Sequence, residues 1–214
     1  MTIEIIPPKA ASARDKLLGA ALRILREKGY NATAVDDLCA AAGVTKGAFF
    51  HHFKSKEDLA VAAANEWSRS TSAMFAAAAY HAHADPLDRV LAYIDLRADL
   101  IAGEIAEFTC VAGTLAQEVF QTHPRIRDAC RDSIFGHTGT LEADIAQALD
   151  LYRPDGGGVT ARSLALHTQA VLQGGFILAK ANDDPSIAAD SIAHLRRYFE
   201  VLFASHAKPT ETPA

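Results

Sequence analysis

Thr33–Asp58 reads T-A-V-D-D-L-C-A-A-A-G-V-T-K-G-A-F-F-H-H-F-K-S-K-E-D, and this stretch decides the fold. Its first part predicts a short helix, Val35 to Ala42, with Thr33 as N-cap and Asp36 three residues on. Gly43 follows where a left-handed residue ends a helix, a conformation open to glycine without steric cost. A second short helix is expected from Thr45 to about His52, and Ser55 caps a third, with Asp58 three residues later. Two short helices across a tight glycine turn form a helix-turn-helix, whose second helix enters the DNA major groove with its first residues at base edges. That helix offers Thr45, Lys46 and Ala48, and Gly47 lets backbone approach closely. The expected contacts are Thr33, Thr45, Lys46, Ala48, Phe50, His51, His52, Lys54 and Lys56, with Lys54 and Lys56 beside a helix start as a phosphate clamp.

A helix–glycine–helix pattern alone also fits a buried helical hairpin. The longer string G-V-T-K-G-A-F-F-H-H-F-K-S-K-E-D-L, Gly43–Leu59, closely resembles the recognition helix and following turn of the TetR/AcrR family of bacterial transcriptional regulators. The resemblance is specific over Leu17–Leu59 and extends by helix layout alone through the rest. Phe50 and His52 stand where that family often has tyrosines, and the tyrosine matching Phe50 commonly touches a phosphate. Phe50 has no hydroxyl, so stacking on sugar or contact with a thymine methyl replaces that role.

The whole chain is compatible with this reading. Its 214 residues, half of them hydrophobic, suit one domain or two small ones of globular helical class. No run approaches the length of a membrane span, and Met1–Ala13 lacks the apolar core of a signal peptide, so a cytoplasmic protein without a membrane partner is expected. Three widely spaced cysteines fit free thiols in a reducing compartment. The net charge of −5 is unevenly distributed: residues 1–56 carry nine Lys/Arg against five Asp/Glu, a balance of +4, and the remainder is −9. A basic end on an acidic body is the footprint of a DNA-binding unit joined to a different machine.

The expected fold is all-α: an N-terminal three-helix helix-turn-helix DNA-binding domain plus a C-terminal six-helix ligand-binding and dimerisation domain, nine helices in all. The boundaries are an arm and DNA-binding domain over 1–56, a body over 57–205 and a tail over 206–214. Ser55–Tyr80 reads as one long helix joining the two domains, Gly103–Thr109 as a break, and Arg153–Thr160 as a loop. There is no G-x-S-x-G, phosphate loop, H-E-x-x-H or C-x-x-C, so no enzyme activity, cofactor or metal is expected. His81 and His83 do not share a helix face and have no third ligand nearby.

Two sets of body residues complete the reading. Trp67, Tyr93, Phe108, Cys110, Phe135, His137, His167, Gln173 and Phe176 are aromatic or polar residues in an apolar setting, and each alone fits an ordinary core. On a TetR-like body they are candidates for a small-molecule inducer pocket. Leu164, Val171, Gly174 and Leu178, with Ile192, Leu195, Phe199 and Leu202, recur at helical spacing on the last two helices. These fit intrachain packing and also a symmetric four-helix interface, which the resemblance implies as the dimer contact. The stretch C-V-A-G-T-L-A-Q-E, Cys110–Glu118, resembles a body helix in one branch of the family where some members sense electrophiles through a cysteine; the plainer reading is a small packed thiol. The function expected is a homodimeric repressor of a palindromic operator, released by a small ligand. The alternative is a helical small-molecule-binding protein or enzyme whose basic end serves solubility.

Overall fold

Local signals set most helix boundaries. Ser12 starts α1 (Ala13–Lys28) with a reciprocal capping box to Asp15, and Gly29, at φ 80°, ends it. α2 (Val35–Ala42) stops at Gly43, which adopts the left-handed region at φ 63°, ψ 40°. Thr45 caps α3 (Lys46–His52) by accepting the Ala48 N–H at 3.2 Å, and Ser55 caps α4 (Lys56–Ala76) through Asp58 N–H at 3.0 Å. The computed structural model describes residues 12–152 and 158–204. The expected N-terminal arm, the C-terminal tail and most of the Arg153–Thr160 loop lie outside them.

The body continues with a 3-10 turn at Ala79–Ala82, α5 (Pro86–Asp99), α6 (Ile105–Phe108), α7 (Val111–Val119), α8 (Pro124–Tyr152), α9 (Ala161–Asn182) and α10 (Ser186–Ala204). Among the described residues there are thus ten α-helices and no strand, one helix more than the sequence predicts. The extra one is α6, a single turn inside the expected Gly103–Thr109 break, started by the Glu107 carboxylate accepting the Glu104 N–H. The joining helix also ends early, at Ala76, and Tyr80 packs into the body from the 3-10 turn instead.

Two hydrophobic cores stack end to end. The first unites Leu17, Leu38, Phe49 and Leu59 with Val111, Leu115 and Ile126; α1 and α4 pack directly on α7, α4 also packs on α8, and α2 and α3 rest on α1. The second joins Tyr93, Ile94, Leu141, Ile145, Leu172 and Phe199 across α5, α8, α9 and α10. α4 runs from one to the other, with Leu59 and Ala63 in the first and Phe75 in the second. Packing is therefore continuous across residue 56. Among the described residues no helix is long and apolar enough to cross a membrane.

Candidate nucleic-acid interface and ligand pocket

The seven residues of α3 divide cleanly by burial. Phe49 is fully buried and anchors the helix, whereas Lys46, Gly47, Phe50, His51 and His52 are exposed and Ala48 half-exposed; the N-cap Thr45 is exposed too. Phe50 leaves 53% of its surface to solvent, a large apolar side chain on the face a major groove would meet. Lys46 pairs with Asp36 at 2.8 Å in the open, a contact weak enough to exchange for a phosphate. Lys54 is likewise exposed.

Two of the expected DNA contacts are placed elsewhere. Thr33 is 1% exposed; its hydroxyl donates to Gly29 O at 2.5 Å, and Ala34 rather than Thr33 occupies the N-cap position of α2. Lys56 is folded inward. Its ammonium donates to Tyr30 O and Thr33 O, both at 2.9 Å, and lies 4.1 Å from the Tyr30 ring centroid. Carbonyls and a ring face satisfy this cation within the chain, so it ties α4 to the α1–α2 turn rather than waiting for a phosphate.

Within the body, α4, α5, α6, α8 and α9 enclose a cavity of about 290 Å³. Of the residues expected there, Trp67, Phe108, Cys110, His137, Gln173 and Phe176 line it. Tyr93 stands behind the wall, 1% exposed, with its hydroxyl 2.7 Å from His137 Nε2. Burial, with the nearby Arg97 cation, pulls the His137 imidazole down to about 4, so the ring is neutral. Phe135 points away, 47% exposed on the outer side of α8, and His167 lies exposed on α9 with its ring 5.1 Å from that of Tyr198. Neither belongs to the cavity, because each sits at a helical position rotated toward solvent.

Sequence reasoning missed Phe75, Arg97, Ser133 and Gln169, which also line it. Arg97 and Gln169 each stand one turn from a residue that was singled out, Tyr93 and Gln173, and that i,i+4 relation was the available signal. Gly113 leaves room for Gln173, whose Oε1 occupies the space a Cβ there would take. A smaller cavity of about 140 Å³ adjoins, sharing Cys110, Gln173 and Phe176 and reaching Lys180.

The short segment α6–α7 links this cavity to the helix-turn-helix. Glu107 O accepts from Arg26 Nη1 at 2.7 Å, and Lys180 Nζ donates to Arg26 O at 2.9 Å and to Thr114 Oγ1 at 3.0 Å. The Glu118 carboxylate accepts the N–H groups of Tyr30 and Asn31 just beyond Gly29.

The proposed dimer residues separate into two groups. Leu164, Ile192, Leu195 and Phe199 are at most 2% exposed and fill the second core, so they hold the chain's own helices together. Val171, Gly174 and Leu202 are half-buried, and Leu178 is 55% exposed. Ile177, Tyr198 and Val201, absent from the expected set, add exposed apolar surface on the same two helices.

The profile described as "Bacterial regulatory proteins, tetR family" matches residues 17–63, which hold α1, α2, α3 and the start of α4. Over these residues the chain is similar to the TetR family. It is 30% identical over 140 residues to the transcriptional regulator AcuR of Cereibacter sphaeroides, a match covering 65% of this chain and 62% of AcuR. A TetR transcriptional regulator from Chloroflexus aurantiacus superposes at a TM-score of 0.73 and 26% identity, over 87% of this chain and 93% of that one. A TetR-family regulator from Agrobacterium tumefaciens, 24% identical, shares the fold at a TM-score of 0.77 over 89% and 97% of the two chains. The TetR-family match falls on the helix-turn-helix, and the structural likeness extends the TetR fold over the body.

Proposed function

We propose that this protein is a homodimeric, ligand-responsive transcriptional regulator, a repressor that grips a palindromic operator with α3 and is released by a small-molecule inducer. The single observation that carries the reading is α3 itself. It is fixed from beneath by Phe49 and presents Thr45, Lys46, Phe50 and His51 to solvent, on the end of the chain where the charge is positive.

The dimer forms through Gly174, Ile177, Leu178, Tyr198 and Val201, the apolar surface that α9 and α10 leave exposed. The inducer occupies the 290 Å³ cavity, at the small end of the range for small-molecule sites. Release is a population shift: a ligand between α4, α6 and α9 favours one placement of α6–α7, and the Glu107–Arg26, Lys180–Arg26 and Glu118–Tyr30 contacts carry that placement to the α1–α2 turn. Altered spacing of the two recognition helices then takes them out of groove register. Transcription control through DNA, rather than catalysis, is the activity.

The test is a gel shift of the full chain on the DNA upstream of its own gene at increasing salt. A sequence-selective complex whose affinity falls steeply with salt is expected. Binding that ignores sequence, or no binding at low salt, overturns the reading.

A further inference from the structure

The wall of the cavity carries one cation without a counter-charge. Arg97, half-buried on α5, has no carboxylate within ion-pair distance among the described residues. Arg89, two turns earlier on the same helix, shows the usual arrangement, with Asp144 at 2.7 Å. Arg97 instead has aromatic faces around it, its guanidinium carbon 5.3 Å from the Phe75 centroid and 6.0 Å from that of Phe176. Glu107 is the other charged residue of the lining, and its carboxylate caps α6 from an exposed position.

A second, independent observation lies on α9. Gln169 is 6% exposed, lines the same cavity, and its Nε2 makes no hydrogen bond within the chain. A buried amide donor left unpaired has lost its water without gaining another acceptor, which is unfavourable until a ligand supplies one. Arg97 and Gln169 both face the Tyr93 hydroxyl, which is joined to His137, and Gln169 Nε2 still lies outside hydrogen-bonding geometry with it. Arg97 and Gln169 thus bring two donors, one of them charged, to the part of the cavity next to Tyr93, and Trp67, Phe75, Leu100, Phe108, Ile134 and Phe176 supply apolar wall.

We infer that the cavity binds a small organic monocarboxylate, its carboxylate received by the Arg97 fork and the Gln169 amide and its hydrocarbon body lying against Phe75, Phe108 and Phe176. A planar carboxylate matches a guanidinium in a bidentate pair and still has lone pairs for the amide. A phosphate dianion is the poorer match, since a single cation in a mainly apolar site leaves the second charge unpaired. The inference rests on the reading of this cavity as the inducer site, and it names that inducer's chemical class.

Calorimetric titration of the full chain with hexanoate and benzoate, against hexanamide, benzamide and hexylamine, tests it. The carboxylates are expected to bind at least about tenfold more tightly than the matched amides, with no binding of the amine. Arg97→Gln removes that preference, and Gln169→Leu lowers carboxylate affinity about three- to tenfold; the second variant keeps the test readable if the first fails to fold. An amide or amine that equals its carboxylate, no carboxylate binding, or a preference that survives in both variants overturns the inference. A gel shift with hexanoate separates the two levels: carboxylate binding without operator release overturns the inducer role alone, and operator binding with no carboxylate binding overturns the ligand class alone.

Discussion

Glu118, on α7, accepts the backbone N–H of Tyr30 through Oε2 at 2.5 Å and that of Asn31 through Oε1 at 2.8 Å. One carboxylate thus fastens the turn between α1 and α2 to the body. The contact depends on Gly29, at φ 80°, because a Cβ there would lie 2.5 Å from Glu118 Oε2. Glu118→Ala is expected to leave both amides without this partner and to destabilise the protein by about 2 kcal/mol. Operator binding persists, whereas ligand-induced release weakens. Thermal unfolding measures the first effect and a gel shift with added ligand the second; an unchanged melting temperature would show that water replaces the carboxylate at no cost.

The lysines near α3 should behave differently from one another. Lys54→Ala removes an exposed cation and is expected to reduce the salt slope of operator binding by about one. Lys46→Ala lowers affinity in the same way, once its exchangeable pair with Asp36 is gone. Lys56→Ala removes two carbonyl contacts and a ring contact, so it lowers the melting temperature by a few degrees, about 2–4 °C per kcal/mol, and leaves the salt slope alone. A Lys56→Ala protein with full stability and a shallower slope would restore the phosphate role.

On the last two helices, a pair of aspartate substitutions separates interface from core. Leu178→Asp adds a charge to a residue that is 55% exposed, so the monomer's fold survives and the dimer is lost. Phe199→Asp buries a charge at a fully buried position and is expected to abolish folding outright. Sedimentation velocity with circular dichroism distinguishes the two results. A Leu178→Asp dimer would move the interface to another face.

The three thiols are expected to react in a definite order. Cys110 is partly exposed, lines both cavities and accepts the Gly113 N–H at 3.4 Å as the N-cap of α7. Cys130 is buried, which pushes its thiol up to about 12, and burial also raises that of Cys39. Limiting iodoacetamide therefore labels Cys110 first, and a ligand filling the cavity slows that labelling. Peptide mass spectrometry reads both; equal labelling of all three thiols would show that burial does not govern access.

The helix-turn-helix was legible in the sequence because its signals are local. Gly43, the Thr45 and Ser55 caps and the apolar spacing around Phe49 act over a few residues, so they mean the same thing before and after folding. The string from Gly43 to Leu59 likewise carried the family resemblance on its own. The body was readable only as a set of amphipathic helices. Helical spacing says that Phe199 and Leu178 are apolar, but not that one meets the second core and the other solvent. Only the arrangement of α5 and α9 against α10 decides that. Lys56 shows the same limit for charge: a lysine beside a helix start has the composition of a phosphate clamp, and the carbonyls of Tyr30 and Thr33, more than twenty residues away, take it instead. The cavity depended most on tertiary structure. Arg97 and Gln169 come from helices seventy residues apart, and each became informative only when folding removed water and left one without a counter-charge and the other without an acceptor. Sequence by itself determined the elements whose ends are set by caps and glycines, since those follow from neighbouring residues; where α4 stops and which polar groups lack partners were decided by packing between distant helices.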